Sequence, residues 1–503
     1  MKRHAALCAL LALLYLLTGC RASLSGQVTG EAGQTLPPVA AGPMAPTGDS
    51  QSARERSVVL YLPDTAAARL ATQVQQVVID SGETVYEACV AALLAALNNT
   101  DFYTGPEPLA LERVSNPVET CGNLATVYLG RSVRRLDSEA MAALRLAIAN
   151  TLTEFPEILY VNILVDGRDS GLDLLGRTLP TGVLTRYPSG DITTFWGQIQ
   201  AQRAAEDTEL TKSAALYFAT DTGALMLGEV RDITFAARDE AVFARALLDE
   251  LAHGAASLTG ARALVPGWDY FERDPALYVP EGASERYIRL DLRREITDYL
   301  RLRGASLADM LGTVCYTLTG FIPSLDGITV YVGGELQTEM VLPDGSMWYD
   351  GEGLLTRDVF TAFAADTCTV YFALADGSGL RAVERPIAQR FRTQPRTLLR
   401  EMMRAPGDAA LMAVLPAAVG DADILGLQVQ GDLALVNLSA AFARACAGFT
   451  AQQERNMIYA IVNTLTEADG VRRVRFYVEG QQVPIAGHMM IGGEYMRHAG
   501  LIH

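Results

Sequence analysis

The phrase NTLTE occupies residues 150–154 and again 463–467, and YTLTG occupies 316–320 between them. A phrase that returns at roughly 150-residue intervals in a chain of 503 residues narrows the choice of fold sharply. Solenoid repeats have periods of about 20–50 residues, so this one reads as duplication of a whole domain. A prior of about 150 residues per domain points the same way, to about three domains.

The surroundings of the phrase recur with it. Each copy opens on a β-like run around a tyrosine: VVLYLPD (58–64), AALYFAT (214–220) and TVYFALAD (369–376), with Tyr61, Tyr217 and Tyr371. A stretch with apolar residues at three- and four-residue spacing follows, at 83–97, 239–254 and 394–405, and reads as a helix. Two strand-like runs come next: LALERV (109–114) and LATVYLG (124–130), PALYV (275–279) and RYIRLDL (286–292), ILGLQVQ (424–430) and LALVNLS (433–439). A second helix ends on the repeated phrase. Met141, Leu144, Ile148 and Leu152 line one face in the first copy, and Met457, Ile461 and Leu465 do so in the third. Thr450 with Gln453 has the spacing of a capping box, and Ser306 with Asp309 is an acidic analogue. A last strand closes each copy, at 158–167, 327–334 and 471–480. The pattern predicts an α/β (α+β) chain of three β-α-β-β-α-β domains at 57–190, 213–350 and 368–503, joined by linkers at 191–212 and 351–367.

The N-terminus carries an address. Positive charge at 1–4 precedes an apolar run at 5–17, too short to span a ~30 Å hydrocarbon core but suited to a signal peptide. It ends in LTGC (17–20), which resembles a bacterial lipobox. That resemblance implies cleavage between Gly19 and Cys20 and acylation of Cys20. Multiple acyl chains hold a protein on a membrane where a single chain holds only marginally. Residues 1–19 are therefore expected to be a signal peptide. Residues 20–56, rich in Pro, Gly, Ala, Ser and Thr, are expected to be a tether.

Half of the residues are apolar and a fifth are charged, which is ample core material. The formal net charge is −17, so nucleic acid is not an expected partner. The chain shows no G-x-S-x-G elbow, P-loop, H-E-x-x-H or C-x-x-C, so neither an enzyme nor a cofactor is expected. The histidines are His4, His253, His488, His498 and His503. The last three can be read as a terminal metal site or, preferably, as surface residues. DGSG (376–379) reads as a turn. GDAD (420–423) lacks the spaced oxygen ligands of a calcium loop. Cys89 and Cys121 are candidates for pairing; the preferred reading of Cys89, Cys121, Cys315, Cys368 and Cys446 is buried free thiols. Asn150, Thr151 and Thr153 invite a binding reading, but threonines closing a helix and its following turn are the simpler one.

The runs LALVNLSAAFA and AIVNTLTEADGVRRVRFYVEGQ, and the ending GEYMRHAGLI (493–502), resemble the GerMN domain of sporulation and spore-germination lipoproteins. The first copy resembles it over IANTLTEFPEILYVNILVDG. The second departs: Tyr316 replaces the asparagine, Gly320 the glutamate and Gly333 an acidic residue. The resemblance implies a ring-building type of unit, with helices packed on one side of a small sheet. It implies a non-enzymatic scaffold or assembly component on the outer face of the cell membrane, held by its lipid anchor. Envelope proteins would be its partners, and a homo-oligomer is open. Arg472 and Arg473 are candidates for partner capture or are simply solvated. The alternative is a multivalent ligand-binding lipoprotein for glycan or peptide.

Overall fold

The computed structural model describes residues 44–64, 66–174, 177–204, 209–221, 224–489 and 492–503. The expected signal peptide, with Gly19 and Cys20, lies outside the described residues. The same series of elements occurs three times, and each series begins with a hairpin rather than a single strand. In the first repeat β1 (Arg54–Asp64) pairs antiparallel with β2 (Arg69–Ile79), followed by α1 (Val85–Asn98). Strands β3 (Val118–Cys121) and β4 (Leu124–Leu129), helix α2 (Ser138–Leu152), strand β5 (Tyr160–Val165) and helix α3 (Ile192–Ala204) complete it.

The second repeat has β6 (Leu210–Thr220), β7 (Met226–Phe235), α4 (Glu240–His253), β8 (Ala276–Tyr278), β9 (Tyr287–Leu292), α5 (Leu307–Thr319) and β10 (Gly327–Val332). The third has β11 (Ala365–Leu374), β12 (Leu380–Ala388), α6 (Pro395–Met403), β13 (Ile424–Gln430), β14 (Leu433–Leu438), α7 (Ala451–Leu465) and β15 (Arg473–Val478). The order is thus β-β-α-β-β-α-β, one strand more than the expected pattern. The strands of each repeat also divide between the hairpin and a separate sheet. The added strand β2 escapes a period-2 reading because Gln73 and Gln75 share the inward face with Val77 and Ile79, while Val74 and Val78 stand on the outward one: it reads RLATQVQQVVI.

Each sheet joins an antiparallel pair to a parallel one. Strand β4 lies antiparallel to β3 and parallel to β5, and β9 and β14 repeat the arrangement. Parallel neighbours need a long crossover, which α2, α5 and α7 supply. Both expected caps form: Ser306 with Asp309 starts α5, and Thr450 with Gln453 starts α7. Thr84 with Glu87 caps α1 in the same way. Hairpin, helices and sheet then share one core per repeat. In the first, Leu60, Cys89, Leu93, Val127, Leu144, Ile148 and Ile163 are buried together.

Four expectations about extent need correction. LALERV is not the first strand of its sheet. It gives only a bridge from Leu111 to Leu129, and the strand is β3. The sequence VETC has no apolar alternation, yet all four residues are buried, because the third repeat covers them: Thr120 Oγ1 donates to Asp366 Oδ2 at 2.6 Å. The stretch 191–212 carries α3, whose Ile192 and Ile199 pack on Ala143 and Ala142 of α2. In 351–367, Leu354–Thr356 pairs with β10, and Phe360 and Phe363 enter the second core. Finally, the expected tether is bound from residue 45 onward. Ser50–Gln51 pairs parallel with β13, Asn437 Nδ2 donates to Pro46 O at 2.9 Å, and Ala45 packs on Leu433, Leu435 and Tyr477. The edge of β13 and the outer face of its sheet offer partners that composition alone does not reveal.

Candidate functional site

The recurring phrase is the obvious place to look, and in the first and third repeats nearly every residue of it has a structural task. The first threonine reaches across to the opening strand. Thr151 Oγ1 accepts from the N–H of Tyr61 at 3.0 Å, Thr317 Oγ1 from Tyr217 at 3.0 Å, and Thr464 Oγ1 from Tyr371 at 3.2 Å. All three threonines are fully buried. The second threonine closes its own helix: Thr153 donates to Ala149 O, Thr319 to Cys315 O, and Thr466 to Asn463 O. The leucine between them points into the core. The local-closure reading therefore holds for Thr153, while Thr151 makes a long-range bond.

The asparagine and glutamate hold a later strap. Asn150 exchanges two hydrogen bonds with the backbone of Tyr187, and Asn463 does the same with His498. The phenol of Tyr61 donates to Glu154 at 2.5 Å, and that of Tyr371 to Glu467 at 2.6 Å. Arg186 and Arg497, each one residue before the clasped backbone, complete the clusters by contacting both phenol and carboxylate. Burial, then the glutamate, pushes the Tyr371 phenol up to about 12. The Tyr61 bond, then Arg186, pulls the Glu154 carboxyl down. Sequence reasoning missed both arginines. Their signal is an Arg followed by a ring residue, with Tyr187 and His498 lying 37 and 35 positions after their asparagines.

The second repeat lacks the asparagine and glutamate, and rebuilds the cluster with a neighbour. Arg357 takes the arginine's place: its guanidinium lies 5.5 Å from the Tyr217 ring, against 5.4 Å for Arg186 over Tyr61 and 5.3 Å for Arg497 over Tyr371. It also stacks at 3.6 Å on Tyr316, which stands where the asparagine stood. The carboxylate is Glu119 of β3, from the first repeat, which accepts from Tyr128 at 2.7 Å and lies 3.9 Å from Arg357. Tyr217 meets Thr126 of β4 at 3.3 Å. All of these residues are buried. Burial pushes the Glu119 carboxyl up, against the pull of Arg357. The arrangement is a joint between repeats, in which Arg357 Nε and Nη1 are hydrogen-bonded and Nη2 has only its 3.9 Å contact with Glu119.

Other candidates resolve similarly. Cys89 and Cys121 do not pair; the five described cysteines are free and buried, and burial pushes the thiols of Cys89, Cys315, Cys368 and Cys446 up to about 12. Cys89 belongs to the first core, whereas Cys121 Sγ accepts from Gly228 N at 3.1 Å in the joint. No group of three or more His, Cys, Asp or Glu suited to a metal occurs among the described residues. His488 bonds Phe449 O and His498 packs edge-on to Tyr459. Asp376 forms the expected turn with Ser378. Asp421 is bound by Arg396 and Arg400, and Asp423 by Ser439. Arg473 pairs with Asp432 and Glu494. A cavity of about 390 Å³ beside α2 is lined by Arg134, Arg145, Ser170 and Trp196.

The model of the Germane family, described as sporulation and spore germination, matches residues 59–171 and 369–484, in the first and third repeats. No curated protein matches the chain. Among solved structures, the tandem GerMN domains of the sporulation protein GerM from Bacillus subtilis are 17% identical, covering 57% of this chain and 98% of that one, with a TM-score of 0.21. A Clostridium perfringens protein assigned as a lipoprotein is 19% identical over 26% of this chain and 87% of its own, with a TM-score of 0.19. No helix among the described residues is long and apolar enough to cross a membrane. The chain thus carries two GerMN-type domains, at 59–171 and 369–484, matched by the model described as sporulation and spore germination.

Proposed function

We propose that this chain is a lipid-anchored, non-enzymatic assembly component of a sporulation or germination complex in the cell envelope. One observation carries the reading: the repeated polar residues are spent on architecture. The first threonines bind strand backbone, the asparagines clasp straps, and Arg357 with Glu119 joins two repeats. Such a joint fixes the relative placement of the repeats, which suits a protein that presents surfaces to partners. The anchor is Cys20. Complementation of a deletion strain tests the whole reading, with each repeat removed in turn beside single substitutions. Loss of any repeat should impair spore formation or germination, and Cys20→Ala should release the protein from the membrane fraction. A folded, lipidated point variant as defective as the full deletion would replace assembly by ligand binding or chemistry.

A second reading, capture of an anionic group on a glycan or peptide, has one observation in its favour. Arg145 is 1% exposed and lines the cavity beside α2. Its Nη2 reaches Ser170 and Gly171 and its charge is countered by buried Asp169, but Nε and Nη1 have no hydrogen-bond partner. A buried cation with free donors is costly unless something binds it. Equilibrium binding of acidic cell-wall fragments to the intact protein, lost on Arg145→Met, would support this reading.

A further inference from the structure

The three hairpins end in equivalent outer strands whose free edges differ. Their hydrogen-bond phase is fixed by the tyrosines. Tyr61 sends its N–H to Thr151 instead of to its opposite residue Thr72. In an antiparallel ladder the bonded and non-bonded pairs alternate, so Leu70, Thr72, Val74, Gln76 and Val78 turn their N–H and C=O groups to the outer edge of β2. Leu70 confirms the phase, because its N–H reaches outward to Gly190 O at 2.7 Å. The same rule gives Met226, Gly228, Val230, Asp232 and Thr234 on β7, and Leu380, Ala382, Glu384, Pro386 and Ala388 on β12.

Two of these edges are blunted. On β7 the Gly228 N–H is taken by Cys121, and Asp232 brings charge. On β12, Glu384 brings charge and Pro386 has no N–H to offer. Both devices are the usual protection of an edge strand. Strand β2 has neither. Ala71 to Ile79 is nine uncharged residues in a row, and Val74 and Val78 are 72% and 56% exposed on the face away from the core.

We propose that the outer edge of β2 pairs antiparallel with β2 of a second copy of this chain. A two-fold axis at Gln76 sets Val74 opposite Val78 of the second copy, Val78 opposite its Val74, and Gln76 opposite its Gln76. All three pairs present edge-facing backbone groups on both sides, so the ladder closes without a bulge. The valines cover one another on a single face, as cross-strand pairs do. The pairing starts at Thr72, because Gly190 and Asp191 of the same chain already lie against the edge at Leu70 and Arg69. Two hairpins then become one four-stranded sheet. The contact names one partner for the assembly proposed above, but it stands on the edge alone. A monomeric chain would leave assembly with unlike proteins to be decided by complementation.

The test uses the full chain, in membranes and after detergent extraction. Opposed Cα atoms in a bonded antiparallel pair are about 5.5 Å apart, inside the range a disulfide spans. Gln76→Cys should therefore give an oxidised covalent dimer, while Asp232→Cys and Pro386→Cys, at the equivalent positions, should not. Val74→Glu and Gln76→Pro transplant the third repeat's protection into the first. Each should lower the dimer fraction in sedimentation at least tenfold. The melting temperature of Val74→Glu, an exposed site, should stay near that of the parent. A parent that sediments as a monomer at all concentrations, with no Gln76→Cys dimer, would overturn the proposal. Cross-linking of Gln76→Cys only to a different protein would overturn the choice of a second copy.

Discussion

Tyr61 and Tyr371 give their phenols to glutamates of their own repeats at the protein surface, whereas Tyr217 has no such glutamate and lies beside a carboxylate borrowed from the neighbouring repeat. Glu154 and Arg186 have side-chain exposures of 31% and 39%; Arg357 and Glu119 have 3% and 8%. The same three residue types thus serve as a latch in water twice and as a buried joint once. Exposed ion pairs contribute about 0–1 kcal/mol. In the interior the group is desolvated, and breaking one partner leaves the other uncompensated. Identical chemistry is therefore expected to weigh very differently in the two settings.

The largest difference is expected at Arg357. Its Nη1 donates to Tyr316 O at 2.8 Å and its Nε to Tyr128 at 3.0 Å. Arg357→Met removes those bonds and the cation beside Glu119. A loss of about 3–5 kcal/mol is expected from removal of one member of a buried pair. Chemical denaturation followed by tryptophan fluorescence would register it. A loss below 1 kcal/mol would mean that the joint is an incidental contact and that the repeats hold together elsewhere.

The threonines sharpen the comparison from the opposite side, because their task does not change between repeats. Thr151→Val, Thr317→Val and Thr464→Val each strand the N–H of a tyrosine, buried at Tyr217 and Tyr371 and partly buried at Tyr61, without changing side-chain volume much. An unsatisfied buried donor costs about 1–3 kcal/mol. Three similar losses are expected in the same denaturation assay. A large effect at Thr317 alone would show that burial of the joint, not the phrase, sets the cost.

Acid and base should separate the two kinds of carboxylate. Glu119 is held above the ordinary carboxylate range by burial, so the folded protein keeps its proton to higher pH than the unfolded chain. Its stabilising contribution is present below that range and is lost as pH rises through the folded value. Glu154 is held below the range by Tyr61 and then Arg186. Its contribution is present above the ordinary range and is lost as pH falls. Relative to the parent, Glu119→Gln should gain stability as pH rises, and Glu154→Gln should lose its disadvantage as pH falls. Unfolding midpoints of the three proteins across pH would show two slopes of opposite sign; slopes of one sign would contradict the assignment of environments.

How much of this was legible follows from the distances involved. The capping boxes of α5 and α7 and the buried stripe Met457, Ile461, Leu465 are local, and local spacing is what a sequence displays. The equivalence of Tyr61, Tyr217 and Tyr371 was also visible. The reason for it was not, since Thr151 lies 90 positions from its tyrosine and is selected by tertiary packing. Strand β2 was overlooked because a strand with one exposed face and a free edge need not alternate; Gln73, Gln75 and Gln76 interrupt the pattern. Glu119 is 197 positions from Tyr316, in a strand whose own sequence looks like a loop. The departures at Tyr316 and Gly320 were plain in the sequence. Their compensation by a different repeat could only appear once the chain was folded.

The smallest effect belongs to the outer arginines, and it makes the comparison strict. Arg186→Met and Arg497→Met remove the same guanidinium that Arg357→Met removes. Each leaves the phenol bonded directly to its glutamate, at 2.5 and 2.6 Å. Each also leaves the strap clasped through Asn150 or Asn463. Water can solvate the freed carboxylate, so the expected loss is about 0–1 kcal/mol, shrinking further as salt screens the pair. The check is a denaturation midpoint at low and at moderate ionic strength. If Arg186→Met instead cost as much as Arg357→Met, exposure would not be what separates the clusters. The strap it covers would then have to unfold with the arginine, and Asn150 could not be holding it.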